Sequence, residues 1–196
     1  MDDERLLERM RQGDDSAFAE LFARHRAVVY RYAVHMAGHG AADDIVQEAF
    51  LALIRQSSRF DPARGTVQAY LLGIARKHLL KRFEMARISE PIDEESSRLE
   101  TSAPNPFEDL SRAEIVDRVR AAIVTLPLVF REAIVLCDLN ETDYETAAAV
   151  MDCPVGTVRS RLHRARALLV SKLNDLRQGH EPPTRQAMVG NGRYRH

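Results

Sequence analysis

The chain contains no tryptophan, few aromatic residues of any kind (6%) and only two cysteines. Cys137 and Cys153 stand sixteen positions apart with no CxxC pairing. That spacing excludes the small disulfide-stapled scaffold and fits a reducing compartment, so both are read as plain structural thiols. No stretch approaches the ~18 uninterrupted apolar residues of a membrane span. The opening MDDERLLERMRQGDD is charged where a secretory signal is apolar, so the expected location is the cytoplasm. Excess charge of one sign is missing too: 28 basic against 29 acidic residues leave a net charge of -1. A protein that coats nucleic acid through bulk electrostatics is thereby excluded, and any contact with DNA must be local.

What is present is 45% hydrophobic and 29% charged, normal for a water-soluble chain able to bury one ordinary core or two small ones. The neutral total hides segregation. Between Pro91 and Arg112 lie six acids (Asp93, Glu94, Glu95, Glu100, Glu108, Asp109) and two arginines. Between Asp152 and Asp175 every charge is basic: Arg159, Arg161, Arg164, Arg166 and Lys172. Apolar residues recur almost everywhere at helical spacing, and no alternating β-branched run is long enough for a sheet, so the expected fold is all-α.

The spacing predicts a short first helix with Leu6, Leu7 and Met10, ending near Gly13. A longer second helix carries Phe18, Leu21, Phe22, Val28, Val29 and Tyr32, capped by Asp15 or Ser16. A third follows His39-Gly40, with Asp43 and Asp44 in its first turn and Ile45, Val46, Phe50, Leu53 and Ile54 facing inward. It stops before Phe60-Asp61-Pro62. A fourth runs from Thr66 to about Phe83, with Lys77, Lys81 and Arg82 in its last turns. Residues 87–110 lose periodicity, gather prolines, serines and acids, and read as a flexible acidic linker between two small helical domains, 1–86 and 111–178. Ser111-x-x-Glu114 is a capping box for a helix bearing Ile115, Val119, Ile123 and Leu126. Leu126-Pro127 breaks it, and Phe130, Ile134, Val135 and Leu136 mark the next. Thr142-x-x-Glu145 is read as a second capping box, and Asp152-Cys153-Pro154 as the tight turn before a final helix from Val155. The tail 179–196 has no apolar face and is expected to be disordered.

Two short helices joined by a tight turn outline a helix-turn-helix. On the second, Val155, Val158, Leu162, Ala165, Leu169 and Leu173 share one stripe. Thr157, Ser160, His163 and Arg164 fall opposite, flanked by Arg159 and Arg161. A greasy seam backing a polar face is what a major-groove reading helix needs, and arginine can pair bidentately with guanine or hold phosphates.

At these residues the sequence resembles a known family. Leu126-Pro127 with Arg131-Glu132, Tyr144-x-x-Ala147-Ala148, and above all Val155-Gly156-Thr157-Val158-Arg159-Ser160-Arg161-Leu162-x-Arg164-Ala165-Arg166 resemble the C-terminal DNA-binding domain of extracytoplasmic-function sigma factors, of the sigma-70 family. Independently, Asp43-Asp44-x-Val46-Gln47-Glu48-x-Phe50, Arg59-Phe60-Asp61-Pro62, Gly65-Thr66 and Tyr70-Leu71-Leu72-x-Ile74-Ala75-Arg76 resemble that family's core-binding and promoter-melting domain. The resemblance implies a non-enzymatic RNA polymerase subunit that acts as a monomer with no cofactor and no metal. Its implied partners are core RNA polymerase, promoter DNA and an anti-sigma factor. Asp44, Gln47, Glu48 and Phe50 would face the polymerase. Arg59, Phe60, Asp61 and Arg64, in the loop that catches a flipped base, would meet the −10 element with Lys77, Lys81 and Arg82 on the helix behind. Thr157, Arg159, Ser160, Arg161, His163 and Arg164 would read the −35 element. Three departures are visible: Tyr70 stands where tryptophan is common, Lys77, Lys81 and Arg82 replace an Asn-x-x-x-Asp-x-x-Arg series, and Met151-Asp152 replaces Leu-Gly at the turn. Aspartate tolerates left-handed backbone better than most residues, so the turn should survive.

Two other readings fit parts of the sequence. A stand-alone helix-turn-helix regulator accounts for the second half only. A metal-dependent enzyme is suggested by Asp43-Asp44-x-x-x-Glu48 and His35-x-x-x-His39, but no nucleophile or base accompanies them.

Overall fold

In the computed structural model, which describes residues 2–89 and 112–178, every regular element is helical. The expected linker beyond Ser89, the Ser111 cap and the tail 179–196 lie outside the described residues. Helix α1 (Asp3–Arg11) starts at Asp2, whose carboxylate accepts the Arg5 amide, and buries Leu6 and Leu7. Helix α2 (Asp15–Ala37) is capped one residue earlier than expected, by Asp14, which accepts from the Ser16 and Ala17 amides. The Ser16 and Arg9 side chains also bond that carboxylate and hold its pKa down at about 2. Helix α1 is clipped to α2 through Asp3, which meets Arg24 at 2.8 Å and His25 at 2.8 Å.

Helix α3 (His39–Gln56) begins at His39 itself, so Asp43 and Asp44 sit in its second turn rather than its first. Ile45, Val46, Ala49, Phe50 and Leu53 form its buried side, whereas Ile54, expected inside, is exposed. Two 3₁₀ turns (57–59 and 62–64) lead to α4 (Val67–Ser89), which continues past the predicted end at Phe83, so residues 87–89 are helix rather than linker. Nothing in Phe83–Ser89 breaks a helix: there is neither proline nor glycine.

Helix α5 (Arg112–Val124) buries Ile123 and, just beyond it, Leu126, but leaves Ile115 exposed, correcting the predicted inward stripe. After Pro127, α6 (Leu128–Ile134) runs into a π-helical turn at 135–139, closed by the Asn140 amide on the Val135 carbonyl at 3.0 Å. Helix α7 (Tyr144–Met151) is capped by Asp143, not by Thr142. The Asp143 carboxylate accepts the Thr146 amide at 2.7 Å, which lowers its pKa, while Thr142 is buried. Asp152 ends α7 in the left-handed region (φ 51, ψ 53), as the turn chemistry requires, and α8 (Val155–Gln178) follows.

The two helical domains are not separated in space. Helix α4 packs on α7, and α2 packs on α5 and on the π-helical turn. One continuous core runs from Leu6, Leu21, Tyr32, Leu53 and Leu72 through Ile123, Ile134, Leu136, Val158 and Leu162. No helix among the described residues is long and apolar enough to cross a membrane.

Candidate nucleic-acid interface

The turn between α7 and α8 is held by its own backbone. The Pro154 carbonyl accepts from Thr157 at 2.8 Å and Val158 at 3.2 Å, starting α8 immediately after the turn. Val158, Leu162 and Ala165 are buried against α6 and α7, and Val155 and Leu169 are half-buried at the ends of the same stripe. This burial fixes which side of α8 looks outward. Arg159, Ser160, His163 and Arg164 are exposed on the opposite face.

Thr157, expected on that face, and Arg161, expected at its flank, behave differently. Thr157 is half-buried and its carbonyl accepts the Ser160 hydroxyl at 3.0 Å. Arg161 is also half-buried and reaches back to the Cys153 sulfur at 3.8 Å. Two features of this face were not singled out from the sequence. The Arg159 guanidinium lies over the Tyr144 ring, 5.4 Å from its centroid, which limits where the arginine can point. Arg166 is clamped in a two-point pair by Asp138 from the π-helical turn, at 3.0 and 2.6 Å, and its pKa is raised by that carboxylate. Both depend on contacts between elements, which helical periodicity does not report.

The loop between α3 and α4 is built from short-range polar bonds. Asp61 caps the second 3₁₀ turn by accepting the Ala63 amide at 3.0 Å, and Thr66 caps α4 through the Ala69 amide at 3.1 Å. Between them Gly65 holds φ 141, a conformation that side chains rarely adopt. Phe60 is 9% exposed and meets Tyr70 edge to face at 5.6 Å, so it is mostly a hydrophobic prop beneath the loop. Tyr70 donates to the Gln56 carbonyl at 2.9 Å, and burial raises its pKa so the phenol stays a donor. Arg59, Arg64 and Lys77 line a cleft above this base, with Asp61 and Tyr70. Its far wall comes from the other domain: Ala149, Val150 and Asp152. Lys81 and Arg82 are exposed further along α4, outside the lining.

On α3, Asp44, Gln47 and Glu48 share an exposed face with Asp43. Phe50 does not join them. It is 3% exposed and packs edge to face on Phe22 at 4.8 Å, so the fourth residue expected to face the polymerase is a core residue. Its place follows from the period: Phe50 shares the buried stripe with Val46 and Leu53. Among the described residues no three histidine, cysteine or carboxylate side chains gather as metal ligands would.

Comparison with known proteins bears on the same two surfaces. Residues 21–87 match the Sigma-70 region 2 model and residues 116–169 match Sigma-70, region 4. The ECF RNA polymerase sigma-E factor of Escherichia coli is 34% identical over 182 residues, covering 89% of this chain and 95% of that protein. The chain belongs to the extracytoplasmic-function sigma factors. It is thus a promoter-directing sigma factor of RNA polymerase. A second member, the ECF RNA polymerase sigma factor SigE of Mycolicibacterium smegmatis, is 32% identical over 182 residues, 89% of this chain and 68% of its own length. Among solved structures, CnrH in complex with the cytosolic domain of CnrY has TM-score 0.66 and 27% identity, over 88% of this chain and 97% of that one. The sigma factor RpoE in complex with the anti-sigma factor NepR from Bartonella quintana has TM-score 0.61 and 25% identity, over 80% and 96%. In this sigma factor the region 4 match covers α7 and α8 as far as residue 169, and the region 2 match spans the 57–66 loop.

Proposed function

We propose that this sigma factor divides promoter recognition between its two domains, one reading a duplex and the other holding a single strand. Arg159, Ser160, His163 and Arg164 on α8 read the −35 element in the major groove, with Thr157 and Arg161 at the edge of the contact. Each well-made base contact contributes ~1–3 kcal/mol of discrimination. The α3–α4 loop holds a base of the −10 element in the cleft between Arg59, Asp61, Arg64 and Tyr70. A flipped base costs a few kcal/mol, which these contacts must return. Lys77 flanks the cleft, and Lys81 and Arg82 track phosphates beyond it. Asp44, Gln47 and Glu48 meet core RNA polymerase. The chain acts as a single copy in the cytoplasm, performs no catalysis itself and is restrained by an anti-sigma protein, as a complex with the anti-sigma factor NepR illustrates for RpoE.

The observation that carries this reading is the sidedness of α8: a buried seam of Val158, Leu162 and Ala165 behind four exposed polar residues. The test is run-off transcription with core polymerase and the DNA upstream of the chain's own gene. A discrete transcript that requires both proteins is expected. Tight duplex binding by the chain alone, with no transcript, would overturn the proposal in favour of a stand-alone regulator.

A further inference from the structure

Helix α1 lies outside the residues matched to Sigma-70 region 2, which begin at residue 21, yet it touches the loop assigned above to the −10 element. The contact is made at one backbone group. The Arg11 guanidinium, in the last turn of α1, donates to the carbonyl of Ser57, a buried residue at the start of the 57–59 turn. That same oxygen accepts the Phe60 amide at 3.0 Å, the bond that closes the turn. One residue earlier, the Gln56 carbonyl accepts the Tyr70 hydroxyl of α4 at 2.9 Å. Two consecutive carbonyls are therefore held from two different helices, α1 and α4.

Electrostatics favours this placement. Helix α3 ends at Gln56, where its last carbonyls have no partner further along the helix and concentrate partial negative charge. A guanidinium delivered there complements the dipole, and a charged donor makes a stronger bond than a neutral one. Arg11 reaches the site already oriented. Its Nη1 donates to Glu8 at 3.1 Å, and the second oxygen of Glu8 accepts from Gln12 at 3.1 Å. The Arg11 bond, then the Gln12 bond, lower the pKa of Glu8, so the residue that steers the guanidinium stays an anion.

This anchor sets where the cleft begins. Arg59 lies two positions beyond Ser57 and donates to the Gln56 side chain at 3.1 Å, and Asp61 follows two positions later. Both line the cleft, so a shift of the 56–57 backbone carries them with it. Misplacing a contact group by ~1 Å can cost ~100-fold, which lets an anchor remote from the base govern selectivity.

We propose that Arg11 is a positioning residue for base capture at the −10 element: from α1 it holds the Ser57 carbonyl, and with it Arg59 and Asp61, in the geometry that discriminates among bases. This rests on the reading of the α3–α4 loop given above. Arg11 acts through the backbone of the loop and not by meeting the base.

The experiment uses the full chain with core polymerase and the DNA upstream of its own gene, each base of the −10 element being replaced in turn. Run-off transcription gives, at every position, the ratio between the native base and its substitutes. The captured base is the position whose ratio Asp61→Ala flattens. Arg11→Met keeps the aliphatic stem and removes the donors. It should lower the ratio at that position about tenfold, while ratios at the −35 element and association with core polymerase keep their wild-type values. Arg11→Lys, which returns a cation and a donor, should recover most of the loss. An unchanged ratio in Arg11→Met overturns the proposal, as does an equal fall at both promoter elements, the mark of a purely structural anchor. Should Arg11→Met lose its helical circular dichroism, Glu8→Ala decides. Glu8 is exposed, and without it Arg11 is present but unsteered, so the captured-base ratio alone should fall about twofold. No change in that variant also overturns the proposal. Failure of the loop reading looks different: Asp61→Ala then flattens the ratio at no position, and the proposal falls with it. If Asp61→Ala flattens one position and Arg11→Met does not, the anchor fails and the loop reading stands.

Discussion

Helix α8 presents Arg159, Ser160, His163 and Arg164 from a backbone that needs only its own apolar seam to face outward. The loop between α3 and α4 instead depends on a local carboxylate cap, an aromatic prop and a wall supplied by the other domain. The helix is rigid and open to solvent, and the loop is shaped and enclosed. A rigid reading face suits a ligand whose groove is already formed, whereas an enclosed cleft suits a base that must first leave its stack.

Breaking the seam should have the largest effect. Leu162→Asp puts a carboxylate where Leu162 is 2% exposed and should unfold the C-terminal domain, a loss of more than ~3 kcal/mol in thermal denaturation. Asp61→Ala, which removes only the loop cap, should cost about 1 kcal/mol. A comparable loss from both substitutions would erase the contrast between a helix held by burial and a loop held by caps. Next come the surfaces. Glu48→Lys should weaken association with core polymerase about tenfold in a pull-down titration while leaving the melting curve within ~0.5 kcal/mol, because Glu48 is exposed. Arg164→Ala and Ser160→Ala should do the reverse, each lowering transcription from the cognate promoter about tenfold with core association unchanged. Loss of core association in the α8 variants would dissolve the separation between the two surfaces.

The smallest effect concerns the seam between the domains. Burial, then Arg120, His39 and Arg31, depress the pKa of His35 below its ordinary value of 6.5. The folded chain then takes that proton less readily than the unfolded one. Its contribution to stability is complete above about pH 6.5 and is lost as pH falls through the lowered value. Thermal midpoints should drop modestly between pH 7.5 and 5.5, and His35→Gln should flatten the drop. An unchanged slope in that variant would assign the acid sensitivity elsewhere.

Much of this was legible without coordinates. Six apolar residues at helical spacing, from Val155 to Leu173, oriented α8, and the residues opposite them were found exposed except Thr157 and Arg161. Arg161 was read at a flank, and Thr157 lies in the first turn of α8 against the turn at Pro154, a contact between elements that periodicity does not report. The cap positions slipped by one, to Asp14 and Asp143, because adjacent acceptors compete and backbone geometry decides between them. Phe50 was assigned outward through the motif it belongs to, although its spacing from Val46 and Leu53 placed it inside. The packing of one domain on the other had no local signal. Glu132, Tyr32 and Arg76 are 100 and 56 positions apart and become neighbours only in the folded chain.

The underwound turn at 135–139 has a consequence for how this protein tolerates change. It accommodates an extra residue per turn, and that surplus aims Asn140 at the Val28 carbonyl. Deleting one residue there would return the segment to ordinary α winding and take away the reach by which Asn140 bonds the Val28 carbonyl and accepts from Arg31. A single-codon loss there would thus cost bonds between the two domains while leaving the exposed face of α8 unaltered.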